Sequence, residues 1–223
     1  MKEQIYTIPI NEAFDEKCEC PLCVIERRLE KEAVEYELGP AMMEPDHREE
    51  SNKKGYCKRH LEMMFKSPNK LSLALILDTH LNTVIEQISS LPVEKKGLFK
   101  KEGPSIKETV DSCMVCDKAN KTMERYCNVL VSMWNDEEDF RRKFDSSRGF
   151  CLPHFEMLLK HGSGKFLSTL IHKEERELKR VNDDIHNFTL KFDYRNRDMA
   201  WGTAKDAPER SVEKTVGFIK NEE

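Results

Sequence analysis

Cys20-Pro21-Leu22-Cys23 followed by Gly55-Tyr56-Cys57-Lys58-Arg59-His60, and Cys113-Met114-Val115-Cys116 followed by Gly149-Phe150-Cys151-Leu152-Pro153-His154, are the stretches that decide the reading of this chain. Each is a Cys-x-x-Cys pair trailed by a Cys-x-x-His pair. The first pairs lie 93 residues apart and the second pairs 94, with intervals of 33 and 34 residues inside the two copies. Ordinary neighbours agree too: His60-Leu61-Glu62-Met63 matches His154-Phe155-Glu156-Met157. Two patterns at nearly constant offset, with matching neighbours, point to an internal duplication.

Three thiolates and one imidazole, supplied as two local pairs, are the donor set of a closed tetrahedral zinc site. The expectation is one ion per copy, held by Cys20, Cys23, Cys57 and His60 in the first and by Cys113, Cys116, Cys151 and His154 in the second. Pro21 pre-sets the tight turn that aims two sulfurs at one centre. Cys57 and His60, if helical, share one face at a helix start, where the partial positive charge favours a thiolate. Iron–sulfur clusters are the rival, but they ordinarily use four cysteines, so one histidine per set favours zinc.

The remaining composition narrows the classes. The 223 residues fit two halves of roughly 100 residues, and 38% hydrophobic with 35% charged residues suits helices with wide solvated faces. A formal charge of −4 gives no general attraction to nucleic acid or anionic lipid. No apolar run approaches the roughly 20 residues of a membrane span, and the first residues lack the apolar core of a signal peptide. A cytoplasmic location is therefore expected, where eight cysteines are kept reduced and serve as ligands in preference to disulfides.

The predicted fold is all-α: two pseudo-repeated helical halves, each stapled by a Cys3His metal site, with a C-terminal capping tail. The expected division is 1–91, a Pro/Gly/Lys-rich linker at 92–106, 107–191, and a tail at 192–223. Helices are expected over 24–38, 57–66, 71–91, 117–134, 151–160 and 165–191, with a last short one over 207–216 and a turn or short helix after Pro45. Residues 136–139 read as a short acidic segment, and Phe192-Asp193-Tyr194-Arg195 with Trp201 as an irregular stretch packed by aromatics.

Other conspicuous residues have plainer readings. By offset, Cys18 corresponds to Asp111 and Cys127 to Val34, so neither belongs to the shared ligand plan. Cys18 is read as a thiol beside a metal, with exchange for Cys20 or reactivity as the alternatives, and Cys127 as a small buried hydrophobe. His161-Gly162-Ser163-Gly164-Lys165 lacks the spacing and preceding strand of a phosphate loop and reads as a turn between helices. His47, His80, His172 and His186 have no partner at ligand spacing. Lys53-Lys54 and Lys95-Lys96 read as solvated charge.

The Cys-Pro-Leu-Cys, Gly-Tyr-Cys-x-x-His, Gly-Phe-Cys-x-x-His and Phe-Asp-Tyr-Arg stretches together resemble an uncharacterised family of bacterial proteins classed as a domain of unknown function. The resemblance spans most of the chain and implies a bacterial, cytoplasmic, cysteine-rich helical protein without naming a catalytic residue. Closed metal sites favour a scaffold that binds a protein partner, with nucleic acid disfavoured. A thiol or zinc redox sensor and a metal-dependent enzyme are the alternatives, the enzyme through an open metal site if Cys18 or His60 is not a ligand, or else through acid–base chemistry from Asp193 and Tyr194.

Overall fold

The computed structural model describes residues 4–91, 106–196 and 198–218, and among these residues the chain is all α, with no strand. Eleven α-helices are described: α1 Gln4–Asp15, α2 Pro21–Glu37, α3 Pro45–Lys54, α4 Lys58–Lys66, α5 Lys70–Ser89, α6 Lys107–Asp111, α7 Met114–Asp136, α8 Glu138–Ser146, α9 Leu152–His161, α10 Gly164–Leu190 and α11 Ala207–Val216. The expected linker at 92–106 lies, but for its last residue, outside the described residues. No described helix is long and apolar enough to cross a membrane.

Local chemistry accounts for most boundaries. Pro21 opens α2, where its missing N–H costs nothing, and Gly39-Pro40 follows its end. Asn69 caps α5 by accepting from Ser72 N at 3.2 Å. Ser67 ends α4 in the extended conformation that the following Pro68 demands. Pro208 sits in the first turn of α11, and Gly217 ends it at φ +92°.

Three helices escape the sequence reading: the five-residue α6, just after the expected linker, α1 and α8. α1 carries Pro9 and several β-branched residues, so its local propensity is poor; it is held by burial of Ile10, Ala13 and Phe14. α8 occupies the stretch whose start reads as a short acidic segment. Phe140 and Phe144, four residues apart, share its buried face, and Phe14 meets their rings at 5.1 and 6.3 Å.

The chain forms two compact units that do not follow the sequential division. One joins the N-terminal segment, up to Arg27, to everything from Met123 onward; the other is Arg28–Thr122. The boundaries fall inside α2 and α7. In the first unit Phe140, Phe144, Phe150 and Phe166 are wholly buried. In the second, Val34, Leu38, Met64, Leu73, Ile76 and Val115 form the buried cluster.

Candidate metal centres

Cys57 and Cys151 are the N-caps of α4 and α9, in extended backbone conformation, and His60 and His154 follow in the first turn of each helix. Each Gly-aromatic-Cys approach is made by a glycine in the left-handed region, Gly55 at φ +71° and Gly149 at φ +78°. A helix side chain crowds each of them. A Cβ on Gly55 would meet His80 Cε1 at 2.7 Å, and one on Gly149 would meet Glu174 Oε2 at 2.6 Å. His80 and Glu174 are themselves 94 residues apart, on α5 and α10.

The eight expected ligands come together in two sets of four, but not in the sets the copies suggest. Cys20 and Cys23 meet Cys151 and His154, whereas Cys113 and Cys116 meet Cys57 and His60. Each copy therefore lends its Cys-x-x-Cys pair to the other's Cys-x-x-His pair, and the expectation of one self-contained site per copy is corrected. Helix length gives the reason. The Cys-x-x-Cys pairs stand at the starts of the two long helices α2, 17 residues and about 25 Å, and α7, 23 residues and about 35 Å, so the chain that follows each pair leaves it along a rigid rod.

In the first set Cys20, Cys23 and Cys151 Sγ lie 3.5, 3.4 and 3.1 Å from His154 Nδ1, and Cys23 lies 3.6 Å from Cys151. In the second, Cys57, Cys113 and Cys116 Sγ lie 3.2, 3.3 and 3.4 Å from His60 Nδ1, and Cys57 lies 3.8 Å from Cys116. Sulfurs at these separations are not disulfide-bonded, and all eight cysteines are free. A tetrahedron with metal–sulfur bonds of about 2.3 Å and a metal–nitrogen bond of about 2.0 Å has sulfur–sulfur edges of about 3.8 Å and sulfur–nitrogen edges of about 3.5 Å. The donor atoms stand close to these edges, and each set is able to hold one metal ion.

Protons and charges in the sets are strongly perturbed. Hydrogen bonds from Cys20 and Cys23 bring the Cys151 thiol down to about 4, against its burial. Burial pushes Cys113 up, but His60 and backbone N–H donors outweigh it and hold the thiol at about 6. Burial opposes a charge on His60 as well; Cys113 and Glu30 win and raise it to about 10. Cys23 is raised by its bonds to Cys151 and Cys20, and Cys116 by burial and by Cys113. Each cluster thus shares protons among groups crowded for anionic charge, and a cation would replace those protons.

With Nδ1 turned to the sulfurs, Nε2 carries the ring proton. His60 Nε2 donates to Glu30 Oε1 at 3.2 Å, and Glu30 is buried and also bonded by Arg59. His154 Nε2 lies 3.7 Å from Glu26 Oε2. Glu30 thus fixes the orientation of the His60 ring in the way metal-bound histidines require, and Glu26, one turn away on α2, faces His154 from beyond hydrogen-bond distance. The sequence reading missed both, since neither lies at a motif spacing from its histidine.

The sets differ in their surroundings. All four side chains of the Cys20–His154 set are buried, while Cys57 and Cys116 are half-buried. In the more open set Met114 N donates to Gly55 O at 3.1 Å, tying the Cys-x-x-Cys turn to the glycine loop. The residue corresponding to Met114 is Pro21, which has no N–H. There the tail intervenes: Lys214 of α11, 1% exposed, donates to the carbonyls of Glu19 (3.0 Å), Arg148 and Phe150 (3.2 Å). Gly217 closes over the sulfurs, a Cβ there standing 3.4 Å from Cys23 Sγ and 3.7 Å from Cys151 Sγ.

Cys18 and Cys127 stand outside both sets. Burial pushes each thiol up to about 12, so neither has the low pKa of a reactive cysteine. Asp193 is paired with Arg195, and Tyr194 is 87% exposed, so this stretch forms no acid–base pair. An open polar cleft of about 720 Å³ lies beside Gly202 and Thr203. Its Arg148, Arg180 and Arg210 already serve Glu19 and Asp184.

The model of the family of unknown function DUF6062 matches residues 1–222. The chain belongs to that family. No curated protein and no solved structure matches the chain. The family adds no activity to the geometry of the two donor sets.

Proposed function

We propose that the chain is a zinc-stabilised helical scaffold that binds or regulates a protein partner in the cytoplasm and is not a catalyst. The carrying observation is that each donor set is complete with four protein side chains. Catalytic zinc keeps a position for water, whereas four-ligand sites of this composition serve structure. The donors fit zinc better than hard cations, because thiolates dominate. The matched offsets, with the two glycines and the residues facing them, support descent of the two copies from one ancestor. Binding at each site contributes on the order of 10 kcal/mol, comparable with the whole stability of a domain.

Metal analysis of the purified chain, followed by chelation and thermal melting, tests this reading. About two zinc ions per chain are expected, with a large fall in melting temperature on chelation. Iron in their place, or melting unaffected by chelation, overturns it. A second reading, a thiol switch, attaches to the Cys57–His60–Cys113–Cys116 set alone, because only there are two sulfurs partly open to solvent. Reversible metal release from that set by mild oxidant, with the buried set retained, is the result that favours it.

A further inference from the structure

The helix α5 turns its most apolar face outward. Leu71, Ala74, Asp78, Leu81, Ile85 and Ile88 are all exposed, and their spacings of three and four residues are those of the a and d positions of successive heptads. Leu71 is 71% exposed, Leu81 55%, Ile85 59% and Ile88 52%, with Leu75 beside them at 42%. The inward side of the helix, packed on α3 and α4, fully buries only Ser72, Leu73 and Ile76.

The duplication supplies an internal control. Ninety-four residues on, the same six positions on α10 are Lys165, Ser168, His172, Glu175, Lys179 and Asn182, every one exposed and polar. A helix in this setting thus has a version suited to water, with Lys179 and Glu175 paired at 2.6 Å. On α5 that face is aliphatic, which solvation alone does not favour.

We infer that α5 is a dimerisation helix, and that its occupant is the α5 of a second copy lying antiparallel across a two-fold axis. The stripe is self-complementary in that direction. Leu71 then lies opposite Ile88 of the second copy, Ala74 opposite Ile85 and Asp78 opposite Leu81, so every a position meets a d position and the small residue meets a large one. A parallel pair would set Asp78 against its own copy at one a layer, a like-charge contact. With Asp78 its one charge, the stripe gives a heterologous partner little electrostatic to recognise, whereas its aliphatic positions meet one another across the axis and the antiparallel register keeps the two Asp78 in separate layers. The exposed aliphatics offer roughly 100 Å² each, so the pair buries about 1,000 Å², at the lower bound of a specific interface. A dimer with a dissociation constant in the micromolar range, on the order of 1–50 µM, is expected. This assignment stands independently of the metal reading.

Sedimentation velocity on the full chain as purified, over about 1 to 100 µM, reads the outcome. The native chain is expected to shift from monomer to dimer over this range, and the variant carrying Leu81→Glu and Ile85→Glu to stay monomeric at every concentration. Circular dichroism and metal content, unchanged in the variant, exclude misfolding; Lys179→Ala, at the corresponding position of α10, should leave the dimer intact. A photo-crosslinking amino acid at Leu71 should join two chains through a peptide near Ile88. A native chain monomeric throughout, a dimer that survives the double variant, or crosslinks returning to Leu71 or staying within one chain would each overturn the assignment.

Discussion

At the scale of single residues, the ligands are only half of each site. His60 turns Nδ1 to its sulfurs while Glu30 holds Nε2 from behind, and Glu30 itself accepts a hydrogen bond from Arg59. Glu30→Gln preserves shape but removes the charge that orients and strengthens the imidazole. Metal affinity at that site is expected to fall about 10- to 100-fold, with the other site unaffected. Competition with a chromophoric chelator measures both affinities, and equal weakening at the two sites would contradict the assignment. The eight donors are legible in the sequence because each pair is local, two donor side chains three residues apart. Glu26 and Glu30 are not, since their relation to the histidines exists only once α2 packs beside α4 or α9.

At the scale of elements, α11 contributes most that its sequence does not announce. The helix itself is readable from Pro208, the alternating charges and Gly217. Its target is not. Lys214 supplies hydrogen bonds beside Cys20 and Cys151, to the carbonyls of Glu19, Arg148 and Phe150, where Pro21 has no N–H to donate. Lys214→Met keeps the stem and strands three carbonyls, at a cost of about 1–3 kcal/mol for each buried group left unsatisfied. Metal loss from the Cys20–His154 set should accelerate while the Cys57–His60 set is unchanged; site-resolved release kinetics in the native and variant chains provide the check. The helices with strong periodicity, α2, α5, α7 and α10, stand close to where the residues place them. α1 and α8 do not, because aromatic packing around Phe14, Phe140 and Phe144 overrides weak local preference.

At the scale of the whole molecule, the exchange of ligand pairs between copies has a direct consequence. Cys20→Ser with Cys151→Ser injures one set and should leave about one metal ion per chain, whereas Cys20→Ser with Cys57→Ser injures both and should leave about none. Pairing within copies predicts the opposite, so elemental analysis of the two double variants decides between them. The sequence by itself determined the donor chemistry, the helical class and the matched spacing of the two patterns, because these depend on residue type and short spacing. Only the tertiary structure decided which pairs share an ion, which carboxylates stand behind the histidines and where the tail docks. Those relations depend on how rigid helices, α2 of 17 residues and α7 of 23, lead the chain away from each Cys-x-x-Cys pair, and no local spacing records where it goes.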